Sequence, residues 1–168
     1  MPLQVIKFPN DILREKMPEF NFENPITDPK QLEKDMLETM YAGDGIGLSA
    51  NQVGVRARVF VMGHSSVPAD SQAYFNPIIL ANTENIEDVE EGCLSFPGIY
   101  TKVKRPTAIK ARWQNWQGEW QEGEFKGYDC RCFLHELDHL EGIVFKDRVS
   151  TLKWALAIKK SQPKRRRK

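Results

Sequence analysis

Gly127-Tyr128-Asp129-Cys130-Arg131-Cys132-Phe133-Leu134-His135-Glu136-Leu137-Asp138-His139-Leu140-Glu141-Gly142 reads as one helix, stopped by its last glycine. Residues four apart on a helix lie nearly above one another, so His135 and His139 can share a metal ion. Glu136 follows the first histidine and can reach a water on that ion without being a ligand. This is the H-E-x-x-H arrangement, whose chemistry is metal-assisted hydrolysis with the glutamate as general base. It names a reaction class and leaves the substrate open.

Outward from this helix the pattern changes. Val55, Ala57, Val59 and Val61 alternate with Arg56, Arg58 and Phe60, which is strand spacing. Further strands are expected at 74–81, 85–90 and 107–113, the last with Ile109, Ala111 and Trp113 on one face. Gln117-Gly118 and Glu122-Gly123 read as turns. An extended start ends at Phe8-Pro9, and Ile12-Leu13-Arg14 reads as a turn of helix. A long helix begins near Thr27-Asp28-Pro29, a capping oxygen before a proline at the first helical position. Leu32, Met36, Leu37, Met40 and Tyr41 give it one apolar face, and Gly43 stops it. A short strand at 143–145 and a last helix at 150–160 complete the reading. The fold class is α+β, a single domain of mostly antiparallel strands packed around a central metal-binding helix.

Bulk properties restrict the function classes. The chain has 168 residues, 40% hydrophobic and 28% charged, with a formal net charge of +1. That supports one core and gives no global field for DNA or a membrane surface. No apolar run reaches 18 residues, so no membrane span is expected. The N-terminus lacks the pattern of a signal or transit peptide, and three cysteines make no disulfide framework. A reducing cytoplasm is the expected compartment. The basic run Lys159-Lys160-Ser161-Gln162-Pro163-Lys164-Arg165-Arg166-Arg167-Lys168 reads first as a solvated tail and second as a contact for nucleic acid.

A hydrolytic metal site needs three protein ligands and an open position. Cys132 lies near the face of the histidines, but its seven-residue separation from His139 is about 10.5 Å of helix rise. Three side chains strung over that length cannot meet bonds of about 2.0–2.3 Å, and Cys130 is further away still. The third ligand therefore comes from another element. Cys93, in Glu90-Glu91-Gly92-Cys93-Leu94-Ser95-Phe96-Pro97-Gly98, is the best candidate, against the plain reading of a buried thiol. His64, in Gly63-His64-Ser65-Ser66, reads as an exposed loop histidine. A carboxylate ligand would have to be Glu141 or Asp147, neither of which falls in a second helical motif.

Three motifs together resemble peptide deformylases. Gly45-Ile46-Gly47-Leu48-Ser49-Ala50-Asn51-Gln52 is similar to the family's G-x-G-[LI]-[AS]-A-x-Q, Glu91-Gly92-Cys93-Leu94-Ser95 to its E-G-C-L-S, and His135-Glu136-Leu137-Asp138-His139-Leu140-Glu141-Gly142 to its H-E-x-D-H-L-x-G. With the opening Phe8-Pro9-Asn10-Asp11-Ile12-Leu13-Arg14, the resemblance runs from about residue 3 to 150. It implies removal of the N-formyl group from the initiator methionine of new polypeptides, with release of formate. It implies one divalent ion held by Cys93, His135 and His139, natively Fe²⁺, with Zn²⁺, Ni²⁺ or Co²⁺ able to replace it. Glu136 is the implied base, and the Gln52 side-chain amide and Leu94 N–H are the implied oxyanion donors. Glycines at 45, 47 and 92 suit a peptide held in extended form, although each also fits a simple turn.

For the substrate pocket, Ile46, Gly47, Leu48, Glu91, Gly92, Tyr100, Cys132 and Phe133 are the expected contributors, with a core role as the plain reading of Ile46, Leu48, Cys132 and Phe133. Leu134 stands where the family commonly has glutamine, so a hydrogen bond behind the ligands is expected to be missing. Tyr100 stands where some members carry an arginine that contacts the peptide. Asp138 is a candidate for steadying the histidines. The expected division is a catalytic unit over 1–150 and a C-terminal helix with its basic tail over 151–168, the tail offered as a contact for ribosomal RNA. The rival readings are an H-E-x-x-H zinc endopeptidase and a structural metal module completed by Cys130 or Cys132.

Overall fold

The computed structural model describes residues 2–163, so the end of the basic run, residues 164–168, lies outside the described residues. Helix α1 spans Pro29–Ala42, and the Asp28 side chain caps it by accepting from the Gln31 N–H at 2.9 Å. Its expected stripe holds: Leu32, Met36 and Met40 are buried. Seven strands follow: β1 Gly47–Ser49, β2 Val59–His64, β3 Val67–Asn82, β4 Ile86–Cys93, β5 Phe96–Pro106, β6 Ala108–Gln114 and β7 Trp120–Lys126. Helices α2 (Gly127–Leu140) and α3 (Thr151–Ser161) are the last helices of the described residues. All pairings are antiparallel, in a five-stranded sheet β1-β2-β3-β6-β7 and a separate two-stranded sheet β4-β5. The α+β layout is as expected.

Strand β2 shows why the layers assemble. Phe60 and Met62 join Cys130, Phe133 and Leu140 of α2 in one cluster, whereas Val59 and Val61 join Met36 and Met40 of α1 in another. Successive strand residues face opposite sides, so the two helices cover opposite faces of the large sheet. A third cluster, with Phe96, Val103, Val144 and Phe145, sits under the small sheet. There Trp154 of α3 meets the Phe96 and Phe145 rings edge-on at 5.4 and 5.3 Å.

Several boundaries differ from the sequence reading. Residues 55–58 alternate in polarity but join no strand: the Val55 N–H bonds to Ala50 O and the Arg58 N–H to Pro18 O, a loop's partners. Glu122-Gly123 is no turn but lies inside β7, where an ideal Cβ on Gly123 would be 3.0 Å from the Trp113 indole. The glycine makes room for the ring. Strand β5 was not expected, because Pro97-Gly98 masks its start and its buried side includes the polar Thr101 and Arg105. The expected strand at 143–145 is replaced by a 3-10 turn, Phe145–Arg148, whose Asp147 side chain accepts from the Val144 N–H at 3.0 Å.

Candidate metal centre

Helix α2 carries His135, Glu136 and His139 into the interior, all three buried. The β4–β5 hairpin brings Cys93 to the same point. One ligand atom from each of Cys93, His135 and His139 lies within 4.8 Å of the others, the one such group of His, Cys or carboxylate side chains among the described residues. Cys93 Sγ is 3.4 Å from His139 Nε2, and the two imidazole centres are 5.0 Å apart. His135 donates from Nδ1 to Glu91 Oε1 at 2.8 Å, which leaves its Nε2 for the shared point. A thiolate and two imidazoles suit a borderline-soft divalent cation, and three ligands leave an open position.

The charge around that point fits a cation. Burial works against a charged His135, yet hydrogen bonds to Cys93 and Glu91 and the negative charge of Cys93 and Glu136 raise it to about 10. Burial and the nearby His135 charge lower His139 well below its usual range, keeping it a neutral donor. For Glu91, burial alone would raise the carboxyl, but hydrogen bonds from His135 and Arg105 outweigh it and hold it at about 2. Burial pushes Glu136 up to about 7. Its Oε2 is buried with no hydrogen-bond partner, an orphaned acceptor in a reactive position.

Behind the ligands runs a buried ionic network that the sequence reading did not contain. Arg105 binds Glu91 through Nε at 2.6 Å and Nη2 at 3.0 Å, and reaches Asp138 through Nη1 at 2.9 Å. Arg131 donates to Glu91 Oε2 at 2.7 Å and to the carbonyls of Val103 at 2.6 Å and Glu87 at 2.8 Å. The two arginines thus fasten the small sheet to α2. Asp138 reaches His135 only through Arg105 and Glu91. The one available signal was register: Thr101, Val103 and Arg105 share the inward face of β5.

Gln52 sits on a 3-10 turn, Ala50–Val53, after β1. Its Oε1 accepts from the Ser49 N–H and hydroxyl, each at 2.9 Å, which fixes the amide so that Nε2 points at Ser95 Oγ (3.0 Å) and Cys93 Sγ (3.5 Å). Asn51 ties the same turn to α2 by donating to His139 O at 2.8 Å. The open face is a cleft of about 670 Å³ whose walls include Ile46, Gly47, Gln52, Gly92, Cys93, Leu94, Tyr100, Cys132 and Glu136. An ideal Cβ on Gly47 would lie 2.7 Å from Cys132 Sγ and 2.8 Å from Glu136 Oε1, so only glycine lets that backbone pass the Glu136 carboxyl.

Two expected pocket residues do not reach the cleft. Leu48 is fully buried in the cluster under α1, and Phe133 points the other way on α2, edge-on to Phe60 at 4.9 Å. Strand and helix periodicity turn each away from its cleft-lining neighbours Gly47 and Cys132. Glu91 borders the cleft, but its carboxylate is taken by His135 and two arginines. Cys132 lines the cleft, and burial raises its thiol well above the usual range. Cys130 donates to Pro106 O at 3.4 Å and stands apart from the ligands. Leu134 borders a smaller cleft of about 200 Å³ with Asp138 and Arg148. His64 is exposed, with Nδ1 2.6 Å from Ser66 Oγ. Glu141 pairs with Arg58 at 2.5 Å and Asp147 with Arg14, and neither belongs to the group formed by Cys93, His135 and His139.

The family model described as polypeptide deformylase matches residues 2–154. The peptide deformylase of Phenylobacterium zucineum is 48% identical over 133 residues, covering 78% of this chain and 79% of that protein. That of Novosphingobium aromaticivorans is 37% identical over 97% of each chain. Among solved structures, peptide deformylase from Thermotoga maritima superposes with a TM-score of 0.82 at 39% identity, covering 89% of this chain and 99% of that one. The Synechococcus elongatus enzyme, in complex with actinonin, gives 0.86 at 34% identity over 95% and 86%.

Proposed function

The chain belongs to the polypeptide deformylase family, and from that premise we propose how its cleft works. It is a metal-dependent hydrolase that removes the N-formyl group from the N-terminal methionine of newly made polypeptides and releases formate. The observation that carries this reading is that Cys93, His135 and His139 converge at one point while Glu136 and Gln52 border the same cleft.

Cys93, His135 and His139 are the residues that would hold the cation. When bound there, a divalent cation supplies Lewis-acid chemistry, polarising a carbonyl and making water acidic near neutral pH. Fe²⁺ is the proposed native ion, with Zn²⁺, Ni²⁺ or Co²⁺ as substitutes. Glu136 takes the proton of the attacking water and returns it to the departing amine. Burial raises this carboxyl, which favours its holding the proton between the two transfers. The Gln52 amide and the Leu94 N–H receive the charge that develops on the formyl oxygen. Gln52 Nε2 does so by giving up its long 3.5 Å contact to Cys93 while Ser95 keeps the other hydrogen.

The peptide lies extended between the segment Gly43–Gly47 and residues Glu90–Tyr100, with Ile46, Gly47, Gly92, Tyr100 and Cys132 beside it. Ile46 and Tyr100 are 45% and 58% exposed, which places them at the rim. The catalytic unit is proposed as residues 1–150, with 151–168 as the C-terminal helix and basic tail. In the described part, Lys159 and Lys160 are exposed in the last turn of α3, which supports a salt-dependent contact with ribosomal RNA. The cytoplasm is the proposed compartment, and no helix among the described residues is long and apolar enough to cross a membrane.

The deciding assay uses anaerobically purified protein loaded with Fe²⁺, Ni²⁺ or Co²⁺, formyl-Met-Ala-Ser and its acetylated counterpart. Formate release from the first peptide alone is expected. Cleavage of unformylated peptides without formate would instead establish an endopeptidase.

A further inference from the structure

The proposed oxyanion donors sit on elements that share no strand ladder. Gln52 belongs to the turn after β1 in the large sheet, and Leu94 to the hairpin of the small one. That hairpin closes between Cys93 and Phe96 on a two-residue loop, Leu94-Ser95. The favoured two-residue loops need a positive φ at the first or at both central positions. Neither Leu94 nor Ser95 has one. The loop that presents the Leu94 N–H is therefore not held by its own preferred turn geometry.

Its hold comes from the N-terminal segment. Lys7 Nζ donates to Leu94 O and the Phe8 N–H to Ser95 O, both at 3.0 Å, so both loop carbonyls are occupied. The Ser95 hydroxyl donates to Ile6 O at 2.6 Å while accepting from Gln52 Nε2 at 3.0 Å. The Ile6 N–H donates to Gln52 O at 2.7 Å. Three consecutive residues thus bind both donor-bearing turns. Phe8 is also anchored, its ring stacked on Phe96 at 4.7 Å.

We infer that Ile6–Phe8 is a strap that fixes the two oxyanion donors relative to one another, with Lys7 as its separable positioning residue. The inference rests on the deformylase reading of the cleft and deepens it. Lys7 is exposed at the border of the cleft and outside the apolar clusters, so it can be changed without opening the core, and the KM of its variants tells a substrate contact from a positioning role. Its bond to the Leu94 carbonyl is charge-assisted and restrains the loop from the side that no backbone N–H reaches. Losing an oxyanion donor outright costs about 10²–10³ in rate, so loosening one costs less.

The test compares the metal-loaded parent, Lys7→Met and Lys7→Arg. In Lys7→Met, kcat for formyl-Met-Ala-Ser is expected to fall about three- to ten-fold with KM within about two-fold of the parent. Metal content and thermal midpoint stay as in the parent, and Lys7→Arg recovers kcat. Hydrogen exchange of the Phe8 amide, which is bonded to Ser95 O and so reports how firmly strap and loop are joined, followed by NMR in the zinc-loaded protein, is expected to speed up in Lys7→Met alone. A loss carried by KM would make Lys7 a substrate contact and overturn the inference. So would an unchanged kcat, or an unchanged Phe8 exchange rate. If the parent released no formate, the deformylase reading would fail, and the exchange rates alone would decide whether the strap holds the loop.

Discussion

Helix α2 presents His135, Glu136 and His139 from one continuous stretch, whereas the β4–β5 hairpin presents Cys93 and Leu94 from a turn fastened by residues far away in sequence. In the helix, 3.6 residues per turn set the spacing of the functional groups before any tertiary contact forms. In the hairpin, position depends on Arg105 and Arg131 on one side and on residues 6–8 on the other. The helix therefore tolerates changes in its surroundings that the hairpin does not.

The sharpest way to break this contrast is to remove the hairpin's proposed ligand. Cys93→Ala is expected to lose its metal and with it all measurable formate release, while Cys130→Ala keeps both; metal analysis of the two proteins decides. Next in size is Glu136→Gln on the helix. It should retain metal and lose about 10²–10⁴ in kcat, the usual range for a general acid–base group, as read by steady-state kinetics.

Arg105→Met leaves Glu91 buried with one fewer cation and Asp138 with one fewer donor. Breaking one side of a buried ion pair typically costs about 3–5 kcal/mol, measurable by urea unfolding. Arg148→Met, at the half-exposed end of the same network, should cost about 1 kcal/mol or less. Equal losses in the two variants would remove the distinction between a buried clamp and its rim.

The smallest effect lies outside both regions. Burial raises the carboxyl of Glu33, which accepts from the Ala73 N–H at 2.8 Å. A raised folded value favours the protonated form, so this contribution is full below the ordinary value of 4.5 and is lost as pH rises through the folded one. Glu33→Gln should thus match the parent in acid and exceed it at pH 7 by about a few tenths of a kcal/mol, since half the group remains in screening solvent. Unfolding curves at pH 4 and pH 7 check the sign.

What the sequence revealed follows the same division. The α2 face, the Asp28 cap and the apolar stripe of α1 are local patterns, and they appear in the structure where periodicity put them. The exclusion of Cys132 as a ligand needed only helix rise. Strand β5 was not legible, because its inward side alternates through Thr101, Val103 and Arg105, and only the fold shows that a buried arginine has two carboxylates to meet. Leu48 and Phe133 were misplaced for a related reason: a motif fixes a neighbourhood, while one residue of offset turns a side chain to the other face. Lys7 carried no signal at all, since its partner is a carbonyl 87 positions along the chain.

Strand β1 is three residues long and forms one edge of the five-stranded sheet, beside the cleft. An unpaired edge is a template for any extended chain, and long flat edges invite aggregation between folded molecules. Three residues are too few to nucleate a ladder with another sheet, yet enough to align the first residues of one peptide. Under the proposed function, the brevity of β1 therefore separates a useful client from a harmful one by length of contact alone.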